Sequence, residues 1–210
     1  MTMSSYHNRE KHKNEISRRA AFLLYSGIVE EFFHAKRMAS QELGSSLLPS
    51  NYDVAIELDN LAQEKEGKKR TIRNVQFRKE ALDVMQKLSK FSPRLVGSVW
   101  RGTAHLGSDI DILVFHSRPE EVEKILERSY KILSTKWVSK TDSGNTVNYY
   151  HIHFKLNIGV ETEVIIRSPE DIYLKEKCEI YGDLKRGLSI NELEDLLNRD
   201  PQKKFVPKKR

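Results

Sequence analysis

Two aspartates, Asp109 and Asp111, interrupt a run that is otherwise apolar: Asp109-Ile-Asp-Ile-Leu-Val-Phe115. A strand has a side-chain period of two, so both carboxylates leave on the same face. Two carboxylates at one place repel, and each raises the other's cost of ionising. A divalent cation removes that cost, and hard oxygen ligands suit Mg2+. A pair of such ions about 3.5–4 Å apart activates an attacking hydroxyl and stabilises the leaving oxygen of an in-line displacement. A strand with no such task would carry Thr or Val at these positions.

Upstream, Gly97-Ser98 ends a short apolar stretch and opens a polar turn or helix. A glycine turn into a helix lets backbone N–H groups approach an anion, and the helix N-terminus adds its positive end. Ser98 adds a hydroxyl, and Arg101, one turn later, adds a planar cationic fork. This set suits the β- and γ-phosphates of a nucleotide. Downstream, Val160-Glu-Thr-Glu-Val-Ile-Ile-Arg167 offers Glu161 and Glu163. A neighbouring strand brings one of them beside the aspartates, and Glu163 is the choice because Val164-Ile-Ile directly follows it. Singly, a Gly-Ser pair is a turn and Asp-x-Asp a solvated strand face. The ordered combination carries the signal.

Positioning these residues takes a set of elements. Residues 1–13 read as a frayed arm. Over 14–43, Ile16, Ala20, Leu23, Leu24, Ile28, Phe32 and Ala35 recur at helical steps, and Gly44 is a stop signal. Ser50 or Asn51 caps a second helix, with Val54, Ala55, Leu58, Leu61 and Ala62 on one face, until Gly67-Lys-Lys-Arg70 breaks it. A third helix covers about 71–90 and stops before Pro93. Strands are expected at 94–97 and 109–115, then a helix at 119–133 that begins with Pro119. Further strands follow at 137–141, 147–156 and 160–167, with a hairpin turn over 142–145. Residues 169–178 read as helical, and the capping box Ser189-Ile-Asn-Glu192 opens a last helix. The expected class is α+β: a mixed sheet flanked by helices over 91–170, an N-terminal helical region over 1–90, and a C-terminal helical cap with a basic tail over 171–210.

The run apolar-Gly97-Ser98-x-x-Arg101-Gly-Thr…Ser108-Asp-Ile-Asp-Ile112 resembles the signature of the DNA polymerase beta-like nucleotidyltransferase superfamily, its minimal and archaeal tRNA-type members above all. The close match spans about 20 residues, with a looser one to residue 167. The resemblance implies a mixed sheet flanked by helices and an Mg2+-dependent enzyme using two ions. Such an enzyme transfers a nucleoside monophosphate from an NTP, ATP included, to an acceptor hydroxyl and releases pyrophosphate. It implies that Gly97, Ser98, Arg101 and Ser108 bind nucleotide. Asp109, Asp111 and Glu163 are then both metal ligands and catalytic residues, with Glu163 where the superfamily often has Asp. The motif admits RNA or a tRNA end, a protein hydroxyl or a small molecule as acceptor. Two other readings stand beside it. One is a non-catalytic nucleotide or RNA binder on the same fold, and the other a toxin–antitoxin nucleotidyltransferase that modifies its partner.

The bulk numbers agree with a nucleotide enzyme without demanding one. The 210 residues are 38% hydrophobic and 31% charged, enough for a core and too apolar for a disordered chain. A net charge of +6 favours phosphate-bearing partners, RNA among them. The tail 203–210 holds five basic residues and no acid, and its plain reading is a solvated end. Cys178 is the single cysteine, so no intrachain disulfide forms. No apolar run reaches membrane-spanning length, and the expected location is the cytoplasm. His151 and His153 are read as exposed strand histidines rather than a zinc site, and His105 as an exposed loop residue. Lys155 and Arg167 flank the expected site and either touch phosphate or pair with its carboxylates.

Overall fold

A computed structural model describes residues 3–142 and 145–209. Helix α1 runs Met3–Tyr25 and α2 runs Phe32–Glu42. The arm expected at 1–13 is therefore helical from Met3, and the single helix expected at 14–43 is two. Gly27 divides them. Its φ of +66° is left-handed backbone, and the N–H groups of Gly27 and Ile28 donate to the carbonyls of Leu24 and Leu23. That hydrogen-bond pattern closes a helix C-terminus. The next helix, α3, spans Asn51–Lys87. Ser50 caps it: its Oγ accepts the Asp53 N–H, and its own N–H donates back to the Asp53 carboxylate. Gly67, with φ +54°, kinks α3 where the sequence predicts a break.

The sheet has five strands: β1 Arg94–Val96, β2 Ile110–Phe115, β3 Ile132–Asp142, β4 Asn145–Lys155 and β5 Glu161–Arg167. Their order is β1-β2-β5-β4-β3. The β2–β5 pair is parallel and the other pairs are antiparallel, so the sheet is mixed. Between β1 and β2 lies the short helix α4, Gly97–Arg101; α5, Pro119–Glu127, follows β2, and α6, Ile190–Arg199, follows the Ser189 capping box. The fold is α+β, as the sequence predicts. Three elements differ in extent. Helix α5 stops at Glu127 because Ile132 opens β3 opposite Phe154, against which Tyr130 stacks. Strand β3 is correspondingly longer than 137–141. The segment 169–178 makes only a 3-10 turn, Pro169–Tyr173. The hairpin turn expected over 142–145 has its tip, residues 143 and 144, outside the described residues. Among the described residues, no helix is long and apolar enough to cross a membrane.

Period two divides the sheet into two faces. Ile110, Ile112, Val114, Ile152, Phe154, Val164 and Ile166 are buried in one core with Ala81, Val84 and Met85 of α3 and Leu88 just after it, Val122 and Leu126 of α5, and Leu193 and Leu196 of α6. The alternate residues of the same strands are left for the other face, and the aspartates are among them. A second core joins Ile16, Ala20, Leu23 and Leu24 of α1 to Ala35 and Ala39 of α2 and Val54 of α3.

The far half of α3 also anchors α4. Arg78 is fully buried and donates to the carbonyls of Val99, Trp100, Pro201 and Lys203. Asn74 donates to the Gly102 carbonyl, and Arg70 to those of Thr103 and Ala104. These donors supply partners to carbonyls at and just after the end of α4, where the helix runs out of its own N–H groups. Burial, the first cause, lowers the Arg78 pKa to about 10, still well above neutrality. Replacing Arg78 with Met removes a donor from four carbonyls at once, of which only that of Val99 keeps another, the Gly102 N–H, among the described bonds. The expected cost is about 3 kcal/mol or more, read as a lower midpoint in urea. A midpoint within error of wild type would remove Arg78 as the anchor.

The basic tail is docked, contrary to the solvated end read from the sequence. The Phe205 N–H donates to the Arg101 carbonyl at 2.9 Å, and the Tyr52 hydroxyl donates to the Pro207 carbonyl at 3.0 Å. Lys204 pairs with Asp59 at 2.6 Å and Lys209 with Asp53. Phe205 lies against Trp100. Two aspartates of α3 thus receive two of the tail's five charges, and an aromatic contact receives its one ring.

Candidate active site

Gly97 opens α4 with φ +67°, a conformation that side chains other than hydrogen adopt at a cost. It also has no room for a side chain: a Cβ there would lie 1.9 Å from Asp111 Oδ2. The Asp111 carboxylate is therefore packed on the Gly97 backbone. This contact follows from the register, which sets Val96 of β1 opposite Asp111 of β2. Ser98 is half-buried in the first turn of α4.

On the other side of β2, the parallel register sets Asp111 opposite Glu163. Asp109, Asp111, Glu161 and Glu163 share the non-core face of two adjacent strands. The crowding raises the cost of ionising the two aspartates. Burial first, then Asp109 and Glu163, push the Asp111 carboxyl well above the ordinary aspartate range. Asp109 is solvent-exposed by surface area, yet its surroundings are crowded. Desolvation comes first among the causes that raise its pKa, and Glu163 and Glu161 add to it, while His153 acts the other way. Glu163 is the carboxylate that acts on both aspartates; Glu161 acts on Asp109.

Gly97, Ser98, Ser108, Asp109, Asp111 and Glu161 line one cleft of about 1510 Å3, and Lys69, Lys155 and Lys185 reach the same cleft. The donor set fits hard divalent cations: the carboxylates share one face, their mutual repulsion raises the pKa of both aspartates, and no side chain at Gly97 obstructs Asp111. Asp109, Asp111 and Glu163 are the residues that could hold such ions.

Other residues singled out in the sequence are committed elsewhere. The Arg101 guanidinium makes a two-pronged pair with Asp183 at 2.6 and 2.8 Å and donates to the Phe205 carbonyl. It also lies 4.1 Å over the Trp100 ring and 4.8 Å over Tyr181. It is buried, so the fork read as a phosphate ligand is occupied by the protein's own carboxylate. Ser108 Oγ accepts the His105 N–H at 2.9 Å and closes the turn before Asp109. Arg167 pairs with Glu176 at 2.9 Å, a carboxylate outside the set of Asp109, Asp111 and Glu163, so its partner is neither of the two expected. His105 is half-buried rather than exposed, beside Tyr25, and burial holds its pKa below the usual histidine value.

His151 and His153 differ most from expectation. Their side chains are 13% and 29% exposed, and both turn onto Glu163. His151 Nδ1 donates to Glu163 Oε1 at 2.7 Å, and His153 Nε2 stands 3.1 Å from the same oxygen. The alternation of His-Ile-His on β4 put both rings on one face. Which strand that face would meet was a matter of register, and sequence alone is silent on it.

Residues 78–191 match the model of the nucleotidyltransferase domain. The chain belongs to this family. The matched span contains Gly97-Ser98 and Asp109-Ile-Asp111, in accord with the superfamily resemblance of those residues. The matched span opens in α3 at Arg78 and closes in the first turn of α6. No curated protein matches the chain. Two solved structures similar to it are a GLD-2/RNP-8 complex and a cytoplasmic RNA terminal U-transferase. The first is 15% identical over 58% of this chain and 40% of that one, with a TM-score of 0.34. The second is 13% identical over 55% and 34%, with a TM-score of 0.31. The chain spans less than half of the length of either.

Proposed function

We propose that this protein moves a nucleoside monophosphate from an NTP to the terminal hydroxyl of an RNA, with Mg2+ and with release of pyrophosphate. The observation that carries this reading is the convergence of Asp109, Asp111 and Glu163 beside a Gly97 turn that has no space for a side chain. Gly97 and Ser98 hold the triphosphate by backbone N–H and hydroxyl. Ser108 acts indirectly, by fixing the turn before Asp109. Arg101 is left out of the cradle, because Asp183 holds it. Asp109 and Asp111 hold Mg2+, and Glu163 is the third carboxylate, chosen over Glu161 because it acts on both aspartates. Bound Mg2+ supplies charge neutralisation at the triphosphate and lowers the pKa of the attacking hydroxyl. The protein's part is to fix geometry and to hold charge where the reaction needs it.

An RNA acceptor is supported by charge and by space. The chain carries +6, and Lys69, Lys155 and Lys185 reach the cleft. The cleft, at about 1510 Å3, exceeds the roughly 300–1,000 Å3 usual for one small ligand. It leaves space for an acceptor end beside the nucleotide.

The test is a labelling experiment. The protein is incubated with each α-labelled NTP, Mg2+, and cellular RNA, cellular protein or small-molecule extract in separate reactions. Label in RNA, dependent on Mg2+ and absent from the Asp109→Asn/Asp111→Asn variant, is the expected result. Label confined to protein or to small molecules overturns the acceptor assignment. Binding of NTP with no transfer to any pool overturns the catalytic one.

A further inference from the structure

The catalytic reading uses Glu163 and leaves its two histidine partners without a task. His153 lies opposite Glu163 in the β4–β5 register, and His151 leaves β4 on the same face two residues earlier. One donor atom from each of the three residues lies within 4.8 Å of the others. Glu163 Oε1 is 2.7 Å from His151 Nδ1 and 3.1 Å from His153 Nε2. Tetrahedral zinc, with bonds of about 2.0–2.1 Å, sets its ligand atoms roughly 3.3 Å apart. Both observed separations fall short of that value, by about 0.6 and 0.2 Å, so shifts below an ångström open the site.

A second observation points the same way. The Nε2 atoms of His151 and His153 are both buried, and neither has a hydrogen-bond partner among the described residues; His153 faces Glu163 without bonding geometry. Protein interiors seldom leave such atoms unsatisfied. The His151 ring has no bond at Nε2 to lose by turning, and a cation accepts lone pairs that no donor nearby can. The chemistry also separates this cluster from the aspartates. Two imidazoles with one carboxylate favour zinc over magnesium, whereas carboxylates alone suit magnesium.

We propose that His151, His153 and Glu163 form a site for one zinc-class divalent cation, next to the magnesium carboxylates and sharing Glu163 with them. Three protein ligands leave the fourth position of such an ion open. A regulatory consequence rests on the reading of Glu163 given above. Zinc held by the histidines withdraws Glu163 from Asp109 and Asp111 and inhibits transfer.

The test is a zinc titration of the full chain in millimolar Mg2+, with Co2+ as the spectroscopic substitute. Wild type should bind one equivalent and give the visible absorption of tetrahedral Co2+. The Asp109→Asn/Asp111→Asn variant should do the same. His151→Gln and His153→Gln, singly, should each weaken zinc binding at least about tenfold. Each single variant keeps one histidine on Glu163, so a fold lost only in the double variant leaves the test intact. Folded wild type that takes up no zinc, or uptake that survives both histidine changes and disappears with the aspartates, overturns the site. Where transfer is measurable, the histidine variants should need at least tenfold more zinc for inhibition. A protein with no transferase activity at all speaks against the catalytic assignment and leaves the zinc result standing.

Discussion

Asp111→Asn should abolish transfer and, without metal, make the protein more stable. Both effects have one cause. Asp111 sits against the Gly97 backbone, opposite Glu163 and near Asp109, and burial with those two charges raises its pKa well above the ordinary range. The folded protein therefore disfavours the ionised form relative to the unfolded chain. For a carboxyl whose folded pKa is raised, the folded state binds more protons than the unfolded one between the two pKa values. Stability must then fall as pH rises from the unfolded value, about 3.9, through the raised folded value. Asn has the same shape and no charge, so the variant lacks that fall. At neutral pH without divalent ions it should be more stable by about 0.5–2 kcal/mol, the usual gain when an active-site conflict is removed. The gap should close at low pH. Added Mg2+ should raise the melting temperature of wild type and hardly move that of the variant. Transfer should drop at least about 10³-fold, since several kcal/mol of charge stabilisation is lost. Turnover by Asp111→Asn within tenfold of wild type would remove the carboxylate from the mechanism. A wild-type apo protein that is no less stable than the variant at pH 7 would contradict the buried repulsion.

Gly97→Ala should cost both stability and rate, and the two costs have separate origins. The first is conformational, because φ is +67° and an L residue adopts it at about 1–2 kcal/mol. The second is steric and falls on Asp111, whose Oδ2 would meet the new methyl at 1.9 Å. Either the carboxylate or the start of α4 must move by about an ångström, and a misplacement of that size costs on the order of 10²-fold in rate. Gly44→Ala isolates the first term. Its φ is +61°, and nothing lies within 4 Å of a Cβ there. Chemical denaturation and transfer kinetics on both variants give the comparison. The expected pattern is a similar loss of stability and a rate loss only for Gly97→Ala. Equal rates for the two would mean that the carboxylate tolerates the displacement and that the Gly97 turn is not a cradle built around it.

These effects explain why part of the site could be read before the fold was known. Alternation in Asp109-Ile-Asp-Ile-Leu-Val put two acids on one face of an apolar strand, and periodicity needs no tertiary information. The same holds for the capping boxes at Ser50 and Ser189, whose partners lie three residues away. Helix α1 and the chain beyond Gly27 were merged because helical spacing continues in the residues after the glycine, and only the closing hydrogen bonds to Leu23 and Leu24 reveal the stop.

Charge was the least legible property. Arg101 and the basic tail are cations in the sequence, and cations suggest phosphate or solvent. In the folded chain Asp183, Asp59 and Asp53 answer them from distant positions. Partners so far apart in sequence come together only through packing, and no local pattern encodes the match. The histidines of β4 follow the same logic. Their shared face is local, but the carboxylate they meet depends on strand order β2-β5-β4 and on a register that pairs His153 with Glu163 and Glu163 with Asp111. Sequence alone determined the strand, the paired aspartates and the glycine-serine turn, because each is written within a few residues. Tertiary structure decided which carboxylate stands opposite Asp111 and which cations are neutralised by acids far away in sequence, because those outcomes depend on distances between segments that only folding brings together.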